Sequence, residues 1–118
     1  MKRIITLVAA LAVAATTFAV VAYGSSSRAS ATTVKVTAKD TFRFGLSRKS
    51  APHGKVTFKV TNKGHVSHDF KIAGKKTPLI KPGKSATLTV TLKKGSYKYV
   101  CTVPGHSAAG MKGTFKAT

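Results

Sequence analysis

Ser85-Ala-Thr-Leu-Thr-Val-Thr-Leu-Lys-Lys-Gly-Ser-Tyr-Lys-Tyr-Val-Cys-Thr-Val-Pro-Gly-His-Ser-Ala-Ala-Gly-Met111 contains two alternating runs, a turn and a loop rich in chemistry. Ala86, Leu88, Val90 and Leu92 alternate with Ser85, Thr87, Thr89 and Thr91, and beyond Lys93-Lys94-Gly95, Tyr97, Tyr99 and Cys101 alternate with Lys98 and Val100. A period of two sends successive side chains to opposite faces, so each run reads as a strand with one buried face. The rhythm continues outward. Val34 and Val36, then Phe42, Phe44 and Leu46, then Val56, Phe58 and Val60, then His68, Phe70 and Ile72 occupy alternate positions, and a last run spans about Met111 to Ala117. Turn signals separate them at Lys39-Asp40, Pro52-His53-Gly54, Asn62-Lys63-Gly64 and Lys81-Pro82-Gly83. About seven short strands of this kind predict an all-β, two-sheet antiparallel sandwich, with no helix longer than a turn.

The chain has 118 residues. Lys2 and Arg3 precede an apolar run, Ile4 to Ala22, and Gly24 to Ser30 is small and polar, which is the order of parts in an export signal. Ala29-Ser30-Ala31 fits small-x-small, so cleavage is expected after Ala31, leaving a single domain over 32–118. The run also reaches the roughly 18 residues that can span a bilayer. Retention as a membrane anchor, with Gly24-Ser25-Ser26-Ser27 as tether, is the alternative, and both readings put the domain outside the cytoplasm. Two acidic residues, both Asp, leave little for paired-carboxylate catalysis. One cysteine allows no internal disulfide, and in an exported chain it calls for another role. A domain this small is near the lower limit for a self-sufficient core, so a bound metal is a natural staple.

Within Cys101 to Met111 a thiolate, an imidazole and a thioether follow one another, with four residues between Cys101 and His106 and four more between His106 and Met111. His68, on another inward-facing run, offers a second imidazole. Two His, one Cys and a weak axial Met form the donor set of a mononuclear blue copper site, in which soft sulfur suits Cu(I) and imidazole also suits Cu(II). Cys101 or Met111 alone would read as core filling, and His68 alone as a satisfied core histidine. Together they read as ligands. His65, which forms a zinc-like His65-x-x-His68 pair, lies in the turn after Gly64 and reads as a surface residue, as does His53 between Pro52 and Gly54.

Cys101-Thr102-x-Pro104-Gly105-His106 followed by Ala109-Gly110-Met111, with Asn62-x-Gly64 and His68-Asp69-Phe70 upstream, resembles the cupredoxins, the azurin, auracyanin and rusticyanin loops above all. The resemblance runs from Val34 to Ala117. It implies a Greek-key sandwich with copper at one end, His68, Cys101, His106 and Met111 as ligands, and one-electron transfer with exit at His106 through an apolar patch of Val103, Pro104, Ala108 and Ala109. Asp69 stands where many relatives carry Asn. A carboxylate there would accept hydrogen bonds from the backbone or Thr102 and favour Cu(II).

The net charge is +19 and, of 21 basic residues, only Lys2, Arg3 and Arg28 lie in the export segment. Lys35, Lys59, Lys71, Lys98 and Lys116 occupy outward strand positions, which serves solubility. The field also favours encounter with acidic redox partners and association with anionic membrane or cell-wall surfaces. Scattered lysines carry no base-reading element, so no specific nucleic acid is expected. The leading expectation is a monomeric exported electron carrier and not an enzyme, since four protein ligands leave no open position for substrate. A copper carrier or store is the alternative, followed by a cationic surface-binding module with a vestigial site.

Overall fold

The computed structural model describes residues 31–118; the expected export segment, and the expected cleavage after Ala31, lie outside or at the edge of the described residues. Nine strands follow in order: β1 (Thr32–Lys39), β2 (Arg43–Leu46), β3 (Ser50–Ala51), β4 (Gly54–Asn62), β5 (Lys71–Ile72), β6 (Lys75–Lys76), β7 (Ser85–Leu92), β8 (Gly95–Val100) and β9 (Lys112–Ala117). They form a four-stranded sheet, β2-β1-β4-β7, and a five-stranded sheet, β3-β9-β8-β5-β6. The sandwich is as expected, but two details of the sequence reading need correction. The sheets are mixed rather than antiparallel, because β1 runs parallel to β4, from Thr32 opposite Val56 to Ala38 opposite Asn62, and β3 runs parallel to β9. Alternation fixes which face a residue takes and is silent on the polarity of the neighbouring strand. The two further strands, β3 and β6, have two residues each, too short for a period to show.

The alternating residues supply the core. Val34 and Val36 from β1, Val56, Phe58 and Val60 from β4, Val90 and Leu92 from β7, Ile72 from β5, Tyr99 from β8 and Phe115 from β9 are buried in one cluster. Aromatic rings cross the gap between the sheets. Phe58 meets Phe70 and Phe115 at centroid distances of 5.2 Å, and Phe44 meets Phe70 at 5.2 Å and Tyr99 at 5.8 Å, mostly edge to face. Tyr99 and Gly113 are register partners on β8 and β9. A Cβ at Gly113 would stand 2.2 Å from the Tyr99 hydroxyl, so only glycine leaves room for the ring.

At one end of the sandwich the packing changes character. A second small cluster of Ala38, Cys101 and Met111, flanked by Phe42, Phe44 and Val103, closes the core beneath the β8–β9 loop.

Candidate metal centre

β8 carries Tyr97 and Tyr99 inward, and Cys101 extends that alternation one step past the strand end, which buries its thiol completely. The chain then turns through a tight loop held by its own backbone. His106 N–H donates to Val103 O at 3.1 Å, Met111 N–H to His106 O at 3.0 Å, and Cys101 N–H to Met111 O at 3.0 Å. Gly105 and Gly110 take φ of 85° and 113°, in the region that favours glycine. The loop therefore returns Met111 beside Cys101, and Met111 is fully buried.

His68 arrives from a different segment. Its backbone pairs with Ile80 in an isolated antiparallel bridge, and its ring is fully buried. Asn62 braces the approach, its amide donating to Val66 O at 2.7 Å and Ile80 O at 2.8 Å while its carbonyl accepts from Gly64 N–H at 2.8 Å.

Three donor atoms converge as a result. His68 Nδ1 and His106 Nδ1 are 3.1 Å apart, Cys101 Sγ and His106 Nδ1 are 3.6 Å apart, and the ligand atoms of the three residues lie within 4.8 Å of one another. Bonds of roughly 2.0 Å to nitrogen and 2.3 Å to sulfur from one shared ion, at angles near tetrahedral, place such atoms about 3.3 and 3.5 Å apart. The cluster has the size of a metal site, and its soft thiolate and two imidazoles suit copper. Burial pushes the Cys101 thiol above its ordinary value, so an incoming metal must displace a proton. Burial, and next the neighbouring His68, hold His106 below its ordinary value, which keeps its lone pair available.

The surrounding groups fix these donors. Asp69, buried, accepts from Thr102 N–H at 2.6 Å and from the Thr102 hydroxyl, as the sequence suggests, and its own N–H points at Cys101 Sγ at 3.5 Å. In the sequence Asp40 marks only a turn. Its carboxylate accepts from His65 N–H at 2.6 Å and lies 2.9 Å from His65 Nδ1 and 3.5 Å from His68 Nε2, behind the face that His68 turns to the cluster. Those bonds, the His65 backbone N–H first, hold the Asp40 carboxyl below its ordinary range. Phe42 takes φ of 56° and sets its ring edge-on to His106 at 5.0 Å. Arg43 donates to Ala109 O at 3.2 Å, tying the β1–β2 turn to the loop. In the sequence Phe42 reads as the start of the Phe42, Phe44, Leu46 strand run, but it lies in the turn before β2, and no local pattern announces Arg43. Asp40 had one signal, its rarity as one of two acidic residues.

His68, Cys101 and His106 are thus brought together, with Met111 packed beside Cys101. His65 is exposed and bonded to Asp40, outside the cluster, and His53 lies far along the chain against Thr118 O at 2.8 Å.

A family model described as a cupredoxin-like domain matches residues 4–115, and the chain belongs to that family. Family and His–Cys–His cluster together fit one type 1 copper. Auracyanin-B of Chloroflexus aurantiacus is 46% identical over 43 residues, a match spanning 36% of this chain and 18% of that relative's length. Among solved structures, dithionite-reduced auracyanin from Roseiflexus castenholzii superposes with a TM-score of 0.66 at 21% identity, covering 76% of this chain and 99% of that one. Auracyanin A from Chloroflexus aurantiacus, described as a blue copper protein, gives 0.64 at 20% identity over 75% and 100% of the two chains. An azurin from Methylomonas sp. strain J gives 0.61 at 21% over 75% and 99%. These likenesses show the fold.

Proposed function

We propose that the chain is an exported one-electron carrier in which His68, Cys101 and His106 would hold one copper, with the Met111 thioether as a fourth, weak donor. The observation that carries this reading is the convergence of three donor atoms from two distant segments within 4.8 Å, beside a fully buried methionine. Copper, when bound, supplies the exchange of one electron between Cu(I) and Cu(II). The protein's part is to keep the donors still. Asp69 anchors the start of the loop through Thr102, Asp40 stands behind His68, and Arg43 and Phe42 hold the far side of the loop and the His106 ring. A donor set fixed from behind changes little between oxidation states, which favours fast transfer. His106 is half-buried at the surface, flanked by Val103, Pro104, Ala108 and Ala109, and that apolar rim is the contact a redox partner would use. Four protein donors leave no position for a substrate, so the reading is a carrier and not an enzyme.

The lysine-rich surface supports an acidic partner outside the cytoplasm. Voltammetry of the copper-loaded protein, paired with its copper loss to a chelator, tests the proposal. A reversible one-electron wave with copper retained over hours is expected; rapid surrender of copper without a reversible wave would replace the electron carrier with a copper carrier.

A further inference from the structure

We infer that the outer face of the five-stranded sheet is a docking surface for an anionic phospholipid bilayer. Cross-strand partners share a face, which makes the layout readable from the register. Lys76 pairs with Lys71, Lys71 with Val100, and Val100 with Lys112, forming one row across β6, β5, β8 and β9. Lys98 pairs with Thr114 and Lys116 with Ser96 in the rows behind it. All five lysines are exposed, and the chain's two acidic residues are engaged at the metal end, Asp69 buried against Thr102 and Asp40 bonded to His65. An open hollow of about 260 Å³, lined by Lys98, Val100, Lys112, Gly113 and Thr114, sits among them. Two ammonium groups and a hydroxyl around that hollow suit the phosphate of a lipid headgroup.

The opposite sheet differs. Its outer face also carries basic residues, Lys35 opposite Lys59, Lys39 opposite Arg43, and Lys55, but they are interleaved with a band of hydroxyls, Thr57 bonded to Thr89 at 3.1 Å and Thr61 to Ser85 at 2.9 Å, and Arg43 is turned to Ala109 O at the loop. The chemistry of the lysine face also separates a bilayer from a protein partner. Protein interfaces are depleted in Lys and draw their energy from buried Trp, Tyr and Arg anchors. This face has none of those, and Val100 is the one apolar group in its central row. Lysine is a hydrated point charge on a flexible stem, suited to a plane of phosphates that imposes no shape. Each lysine near an anionic bilayer contributes on the order of fivefold in affinity. The loop from Thr102 to Gly110 belongs to the end of the sandwich and not to this face, so lipid docking and metal-end contacts use separate surfaces.

The test is partitioning of the exported, copper-loaded protein onto phosphatidylcholine vesicles with and without phosphatidylglycerol, at low salt. The gain in binding due to phosphatidylglycerol should fall about 100-fold in K71Q/K98Q/K112Q, by the sum of three such contributions, and about fivefold in K98Q alone. The variant K35Q/K55Q/K59Q has the same net charge and should lose no more than about threefold if the face, rather than the total charge, decides. The visible spectrum of each variant, taken in parallel, reports that fold and metal end are intact, independently of lipid binding. Equal losses in the two triple variants would overturn the proposal. So would equal binding to neutral and anionic vesicles, or binding to soluble polyglutamate with none to vesicles, which would identify an acidic protein as the occupant.

Discussion

Asp40 and Asp69 are the only acidic side chains of the chain, and both are spent on the metal end. A negative charge close to a metal favours its higher oxidation state, and hydrogen bonds to the ligands and their neighbours set how strongly. Asp69→Asn retains an oxygen that can accept from Thr102 while removing the charge. Its reduction potential, measured by voltammetry, should rise by roughly 60 mV, a tenfold change in a one-electron equilibrium; an unchanged or lower value would show that Asp69 acts by geometry alone. Asp40→Ala should raise the potential and also speed copper loss, because His68 loses the group behind it, whereas Asp40→Asn should restore retention. Cys101, His106 and Met111 were legible because their identities and spacing are local, and His68 because it stands on an inward-facing alternating run with Phe70 and Ile72. Asp40, Phe42 and Arg43 were not, since each acts on residues far along the chain, and only the fold brings the β1–β2 turn against the loop.

The β8–loop–β9 element converts an alternating strand into a binding site. Gly113 is the point where β9 yields space to the Tyr99 ring. Gly113→Ala should destabilise the protein by about 1–3 kcal/mol in urea unfolding, the range for overpacking a filled interior. Gly110 yields space to the Arg43 guanidinium, which a Cβ there would approach to 1.9 Å, and its φ of 113° is itself unfavourable for other residues. Arg43→Ala removes the tie to Ala109 without adding strain, and should accelerate copper release several-fold while moving the unfolding midpoint little. At this scale the sequence was largely transparent. Every run of three or more alternating apolar residues became a strand or its immediate flank, because burial of one face enforces the period, except His68-Phe70-Ile72, of which only Lys71–Ile72 is strand while His68 pairs alone with Ile80. The parallel pairing of β1 with β4 was hidden, as polarity depends on the path of the connection through the other sheet.

The sandwich as a whole is coupled to proton and metal. His106 is held below its ordinary pKa of 6.5, so the unfolded chain takes up a proton first as pH falls, and the stabilisation is present above that value and lost below it. Cys101 is held above its ordinary 9.0, so its contribution is present below that value and lost as pH rises toward its folded pKa. Thermal unfolding of the metal-free protein should therefore give highest stability between the two, with the acidic decline reduced in His106→Ala. Copper binds the folded chain in preference to the unfolded one and should raise the melting temperature in a concentration-dependent way. The account rests on Cys101 and the two histidines forming one site. The most direct measurement is the visible and electron paramagnetic resonance spectrum after adding one equivalent of Cu(II). An intense blue thiolate-to-copper band with narrow copper hyperfine splitting, abolished in Cys101→Ser, is the predicted result; a pale spectrum that Cys101→Ser leaves unchanged would contradict it.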